Sequence, residues 1–228
     1  FHTLVIIEVH KIYGKQEYTM ANQCFDQKQE SLEPEQEPSD KNELFHWILT
    51  LAIAVIIALC VNRFVLVNAE IPSGSMENTI MTHDRLIGFR FAYWFEEPQR
   101  GDIILFEYPV DETQIYIKRV IGLPGETVEI RDGHIYIDGS EKPLEEDYLK
   151  ETWIWENDGY TFEVPEGCYF VLGDNRNDSE DGRLWANEAI KEGLASTPEE
   201  AEQYSFVRKD QIKGKAIFKY YSKFAILK

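Results

Sequence analysis

One uncharged run, LFHWILTLAIAVIIALCVN from Leu44 to Asn62, constrains this chain more than any other feature. Its 19 residues carry no formal charge when His46 is neutral. As a helix they would extend about 28 Å, close to the roughly 30 Å of a bilayer core. Such a segment has to be covered by lipid or by protein. The polar stretch before it offers nothing to cover it, which disfavours a buried core helix. A cleaved secretion signal is disfavoured by the length of the run and by its acidic leading flank. His46 and Trp47 at one boundary and Arg63 at the other suit interfacial and snorkelling positions. We therefore expect residues 44–62 to form a single transmembrane helix. Lys41 before it and Arg63 after it nearly balance, so flanking charge does not orient the span.

Residues 1–43 read as a largely disordered tail. Residue 1 is Phe and the first methionine is Met20, so residues 1–19 are expected to be upstream sequence or part of a fragment, and no function is assigned to them. Met20–Glu43 holds seven acids, two lysines and two prolines, too little apolar surface to offset the entropy of ordering.

Beyond the anchor the chain is acidic, with 32 acids against 18 bases from Phe64 onward, part of a net charge of −18. That disfavours a nucleic-acid partner, which needs a basic face. Lys209, Lys213, Lys215, Lys219, Lys223 and Lys228 read as a solvated or interfacial edge. Of three cysteines, only Cys168 lies in this region, so no internal disulfide scaffold is expected. No CxxC or His/Cys cluster suggests zinc, and no metal or cofactor is expected.

Residues 64–228 form short β-like runs: DRLIGFR, GDIILFEY, IYIKRVIG, ETVEIRDGHIYIDG, CYFVLGD and GKAIFKYY. Asp132–Gly133, set between alternating residues, signals a hairpin. Pro109, Pro124, Pro143 and Pro165 fall between the runs, where a missing backbone donor costs least. Residues 142–161 read as an insertion anchored by Trp153, Trp155 and Tyr160. Residues 184–207 read as a second one, partly helical in TPEEAEQY, with Thr197 as cap, Pro198 in the first turn and Glu200 completing a capping box. The expected fold class is mainly β, with curled antiparallel sheets.

Three elements could carry chemistry. In NAEIPSGSMENTIMTHDRL, Ser73 and Ser75 flank a glycine close to the anchor. A serine hydroxyl needs a base before it attacks. His134 sits in the hairpin at the surface, and a set built from Ser75, His83 and Asp84 lies too close in sequence to converge on one carbonyl. Lysine is the other base, provided its site disfavours the ammonium form. Lys118 sits in QIYIKRVIGLPGE, where alternation puts Tyr116, Lys118 and Val120 on one face and Ile115, Ile117, Arg119 and Ile121 on the other. On composition alone, either a desolvated amine or an edge lysine fits. The third element is LGDNRNDSEDGR, Leu172–Arg183. It is either a solvated turn or a brace in which Asp174, Arg176, Asp181 and Arg183 pair locally; its spacing does not fit an EF-hand.

IPSGSM, YIKRVIGLPGE and LGDNRNDSEDGR, in this order behind a transmembrane segment, resemble the three conserved boxes of bacterial type I signal peptidases. The similarity covers roughly Leu44–Lys219. It implies Ser75 as nucleophile and Lys118 as general base. It implies that the Ser73 hydroxyl joins the Ser75 N–H in an oxyanion hole and that Ser179 orients the lysine amine. Asp174, Arg176, Asp181 and Arg183 would support the site, and Met76 and Tyr116 would shape the cleft. The resemblance further implies sheets of the signal-peptidase type, a cytoplasmic N-terminus and an extracytoplasmic catalytic domain. Its substrates would be exported preproteins cut after small residues, and Phe91, Tyr93, Trp94 and Phe95 would be either lipid-facing or core. Gly182 departs from the serine common at that position. A self-cleaving repressor-type protease is disfavoured by the anchor and by the lack of a DNA-binding domain. A catalytically silent binding module of the same fold is disfavoured by intact Ser75 and Lys118. A monomer is expected.

Overall fold

The computed structural model describes residues 40–154, 159–220 and 224–227. The tail up to residue 39, Trp155, Lys223 and Lys228 lie outside the described residues. The chain divides into two compact units, Phe1–Ile56 and Ile57–Lys228.

Helix α1 (Asp40–Cys60) begins before the expected Leu44 and passes into a π-helical turn, Val61–Val65. Its apolar residues lie on all sides, and every residue from Asn42 to Cys60 is exposed. A helix apolar all round needs burial or a bilayer. Asn42–Val65, 24 residues, is long and apolar enough to cross a membrane, with none of it buried.

The second unit is built almost wholly of antiparallel strands: β1 (Leu66–Glu70), β2 (Arg85–Phe89), β3 (Ile103–Tyr108), β4 (Asp111–Gly122), β5 (Thr127–Arg131), β6 (His134–Ile137), β7 (Tyr160–Glu163), β8 (Cys168–Leu172), β9 (Val207–Arg208), β10 (Ile212–Lys219) and β11 (Ala225–Ile226). The larger sheet runs β1-β2-β10-β3-β4-β8-β9, with β11 beside β10; the smaller runs β6-β5-β7. This is the expected mainly β class. The Asp132–Gly133 turn joins β5 to β6 with both residues at positive φ, the geometry that matches strand twist in a two-residue hairpin. β1 was not among the expected strands: LVNAE has little alternation, and it pairs because β2 offers a matching edge from Leu66↔Phe89 to Glu70↔Arg85.

Burial sorts into three clusters. Ile71, Met76, Ile80, Leu86 and Leu105 pack beneath the β1–β2 connection. Phe106, Tyr108, Val120, Val171 and Trp185 fill the middle of the large sheet. Ile130, Phe162, Phe170 and Phe206 join the small sheet to β8. Burying one such side chain is worth about 1.5–3 kcal/mol.

Residues 184–207 are more than a surface insertion. Helix α2 (Trp185–Lys191) buries Trp185 completely, and α3 (Pro198–Ala201) buries Ala201. Thr197 caps α3 by accepting from Glu200 N–H, with Pro198 in the first turn. Glu200, however, reaches back to the Ser196 N–H rather than to Thr197.

Among the described C-terminal lysines, those of β10 do not form a free solvated edge, whereas Lys209 is exposed beside Glu97. β10 lies inside the sheet, between β2 and β3, so its lysines meet acids on those neighbours. Lys213 pairs with Glu107 and Lys215 with Asp102, each at 2.6 Å. Lys219 is buried, with Asp84 at 3.3 Å and the Thr79 carbonyl at 2.7 Å. Core packing also fails for part of FAYWF: Trp94 and Phe95 are 69% and 91% exposed. Tyr93 is half-buried and bonds Asp102.

Candidate active site

Residues 71–84 connect β1 to β2 and carry both candidate serines. The Ile71 N–H donates to the Asp84 carbonyl (3.0 Å) and the His83 N–H to the Ile71 carbonyl (2.7 Å), closing the base of the connection. Met76 and Ile80, fully buried, anchor it from below, and Lys219 ties it to β10. Ser75 is held at the top of this anchored turn, 6% exposed.

Lys118 arrives from β4. Its Nζ lies 2.8 Å from Ser75 Oγ, and the residue is 4% exposed. Burial is the main influence on the amine and pushes its pKa down to about 8. Asp181, Glu180 and Asp174 pull it back up, and Arg183 opposes them. The solvent-facing reading of the lysine fails because the connection from β1 covers the amine, although β8 pairs with β4 only from Arg119 onward. An amine with its pKa near 8 supplies a substantial neutral fraction at working pH, which a general base requires.

Ser73 Oγ stands 3.4 Å from Ser75 Oγ. Among the described residues no acceptor takes the Ser75 N–H, so it is free to donate to a developing oxyanion. The cleft in front of these groups has a volume of about 630 Å³. Ala69, Ile71 and Ser73 wall it on the β1 side, and Ile115, Tyr116 and Ile117 on the β4 side. The Tyr116 ring lies flat against Tyr108, centroids 4.3 Å apart.

The third box closes the site from behind, mostly through long-range partners rather than local pairs. Arg119 grips Asp174 with bonds of 2.8 and 2.7 Å, and Thr79 Oγ1 also donates to that carboxylate. Arg176 pairs with Glu146, from the 142–161 segment. Only Asp181 and Arg183 pair locally, at 2.8 and 2.9 Å. Burial alone would raise the Asp181 carboxyl, but the Arg183 guanidinium and the Gly173 N–H hold it below the usual carboxylate range. The Trp153 ring faces both Arg176 and Arg183, at 4.6 and 5.3 Å.

Two expected roles are not seen. Ser179 Oγ makes no hydrogen bond to the Lys118 amine; it is buried, turned toward Gly173 and close enough to Asp181 to help hold that carboxylate ionised. Met76 is core rather than cleft lining, because the turn after Ser75 points it down under the sheet. His83 and His134 are exposed, His83 near Glu70 and His134 against the Asp132 carbonyl. Arg119 and Glu146 were missed as site residues. For Arg119 a signal existed: a second cation in an apolar strand needs a buried carboxylate. Glu146 lies among other acids in sequence and had none.

Residues 44–221 match the family model described as signal peptidase, peptidase S26. The chain belongs to that family. Signal peptidase I of Leptolyngbya laminosa is 39% identical over 159 residues, 65% of this chain and 75% of that protein. Signal peptidase I of Bacillus licheniformis is 36% identical over 172 residues, 72% and 90% of the two chains. The crystal structure of a signal peptidase I from Enterococcus faecalis V583 is 36% identical, with a TM-score of 0.39, covering 53% of this chain and 97% of that one. This signal peptidase family member is therefore a peptidase. Its departure at position 182 has a local cause: a Cβ on Gly182 would lie 2.7 Å from the Ser205 carbonyl oxygen and 2.8 Å from the Phe170 ring. The 184–207 segment occupies the space that a side chain there would need.

Proposed function

We propose that this chain is a membrane-anchored serine endopeptidase that removes signal peptides from exported preproteins, with Ser75 as nucleophile and Lys118 as general base. The observation that carries the reading is the 2.8 Å approach of a buried, easily deprotonated amine to the Ser75 hydroxyl. Neutral Lys118 accepts the Ser75 proton as Oγ attacks the scissile carbonyl. The oxyanion is met by the Ser75 N–H and the Ser73 hydroxyl, bonds that strengthen as charge develops. The Lys118 ammonium then protonates the leaving amine. Water, deprotonated by the same lysine, releases the acyl group.

The substrate would lie extended between two strand edges. β1 ends the large sheet, and β8 covers β4 only from Arg119 onward, so Gln114–Lys118 offer backbone groups to an added strand. Ser73, Ile117 and Tyr116 line the cleft, and the family resemblance implies that it takes small side chains before the cut, the Ala-x-Ala pattern. In the orientation the family resemblance implies, residues 1–43 are cytoplasmic, residues 44–62 span the membrane, and residues 64–228 work on the outer face. Trp94 and Phe95, exposed and apolar, suit contact with lipid. One copy supplies every catalytic group, which supports action as a monomer. The test is a detergent-solubilised precursor with an Ala-x-Ala site. The native chain should make a single cut and Ser75→Ala none; full cleavage by Ser75→Ala refutes the nucleophile.

A further inference from the structure

Beneath the nucleophile lies a residue to which nothing so far gives a task. Asn175, in the loop after β8, is fully buried. Its backbone N–H donates to the Ser75 carbonyl at 3.0 Å, and its side-chain Nδ2 donates to the Gly74 carbonyl at 3.0 Å. One residue thus holds the peptide planes on both sides of Ser75. Its Oδ1 is buried without a partner, so the side chain keeps an unsatisfied acceptor and makes one bond, to Gly74. Because that atom is a carbonyl oxygen, only the amide nitrogen can face it. The approach is close. A Cβ on neighbouring Gly173 would stand 2.5 Å from the Ser75 oxygen, so glycine is what lets the two loops touch.

The Gly74 carbonyl and the Ser75 N–H belong to one planar trans peptide, in which C=O and N–H point in opposite directions. Fixing the oxygen fixes the direction of the hydrogen. That hydrogen is the donor left without an acceptor in the described part of the chain. Hydrogen bonding at a carbonyl also polarises the N–H of the same peptide. The Glu77 N–H donates to the same oxygen at 3.0 Å, but it belongs to the nucleophile turn itself. Asn175 is the tie from outside.

We propose that Asn175 is a positioning residue for acyl transfer, aiming the Ser75 N–H at the oxyanion through its bond to Gly74. The proposal rests on Ser75 being the nucleophile. A small misdirection of a preorganised donor costs rate in the transition state and little in substrate binding.

The experiment uses the full chain in detergent with an Ala-x-Ala precursor. It measures kcat per active site, titrated by the acylation burst, together with KM and the melting temperature. Asn175→Ala should lower kcat by about 10- to 100-fold while KM stays within about threefold. Asn175→Asp keeps the shape but not the donor and should not rescue. Adding Ser73→Ala to Asn175→Ala should cost less than Ser73→Ala does alone, because both act on one oxyanion. A kcat per titrated site within twofold of wild type in either folded variant overturns the proposal, as does restoration by Asn175→Asp. If Asn175→Ala melts below the assay temperature, Asn175→Asp decides by the same criterion. Ser75→Ala separates the two ideas. If it cleaves, the nucleophile reading fails; if it is dead while Asn175→Ala turns over normally, only the positioning role fails.

Discussion

Arg119 and Asp174 form a buried two-pronged ion pair, their side chains 3% and 0% exposed, that ties β4 to the loop following β8. Arg119 follows Lys118 directly, so the pair sets the strand that delivers the proposed base. Arg119 also donates to the Gly101 carbonyl at 2.7 Å. Removing one member would strand the other charge in the interior. Asp174→Ala should therefore lose about 3–5 kcal/mol of stability, read by urea denaturation, with most of the activity. An unchanged unfolding midpoint would show that the pair is dispensable.

Cleavage should rise with pH through a midpoint near 8, since the reactive form of Lys118 is neutral. Asp181, Glu180 and Asp174 favour its ammonium form, and Arg183 disfavours it. Glu180 is exposed and, among the described residues, its carboxylate accepts a hydrogen bond only from the Tyr108 hydroxyl, so Glu180→Gln should fold normally. With one anion gone the amine loses its proton more easily, and the rising limb should move to lower pH. A pH–rate profile that stays in place or moves upward contradicts this electrostatic assignment.

Lys118 should also weaken the fold it serves. Its folded pKa lies below the unfolded value, so the unfolded chain binds the extra proton between about pH 8 and 10.4. The penalty is complete below pH 8, on the order of 3 kcal/mol, and fades as pH rises to 10.4. Lys118→Met should be inactive yet more stable than wild type at pH 7, with the advantage shrinking toward pH 10. Denaturation of both proteins at the two pH values tests it.

Ser73→Ala should retain activity at roughly 10²–10³-fold lower kcat, the usual effect of losing one oxyanion donor. Unimpaired turnover would remove Ser73 from the hole.

Gly182→Ser restores the residue common in the family and should still harm this protein, by about 1–3 kcal/mol, because the Ser205 carbonyl and the Phe170 ring fill the space. A variant as stable as wild type would show that the 184–207 segment yields easily.

Much of this was legible in the amino-acid order. Strands announced themselves where alternation and turn residues coincided, as around Asp132–Gly133. Ser75 and Lys118 were visible only as candidates in glycine-flanked and apolar surroundings; their roles came from the resemblance of the three boxes to a known family. What stayed hidden depends on contacts made at a distance. Glu146 reaches Arg176, Asp174 reaches Arg119, and Lys219 reaches the Thr79 carbonyl. Local pattern can show that a cation in an apolar strand, such as Arg119, needs a carboxylate, but not which one answers it. Ser179 shows the converse: a residue can lie in the expected loop while its hydroxyl points away from the expected partner, since one rotamer decides which atom it meets.

The position of β10 has a bearing on how the molecule comes into being. Its residues, Ile212–Lys219, fill the gap between β2 and β3, and Lys219 holds a turn 140 residues upstream. A ribosome that has finished Arg183 has already made the hydroxyl, the amine and their braces, yet the scaffold around them still has an open slot. That slot can close only after Ile212–Lys219 has left the ribosome, so the sheet that carries both groups is finished well after they are made.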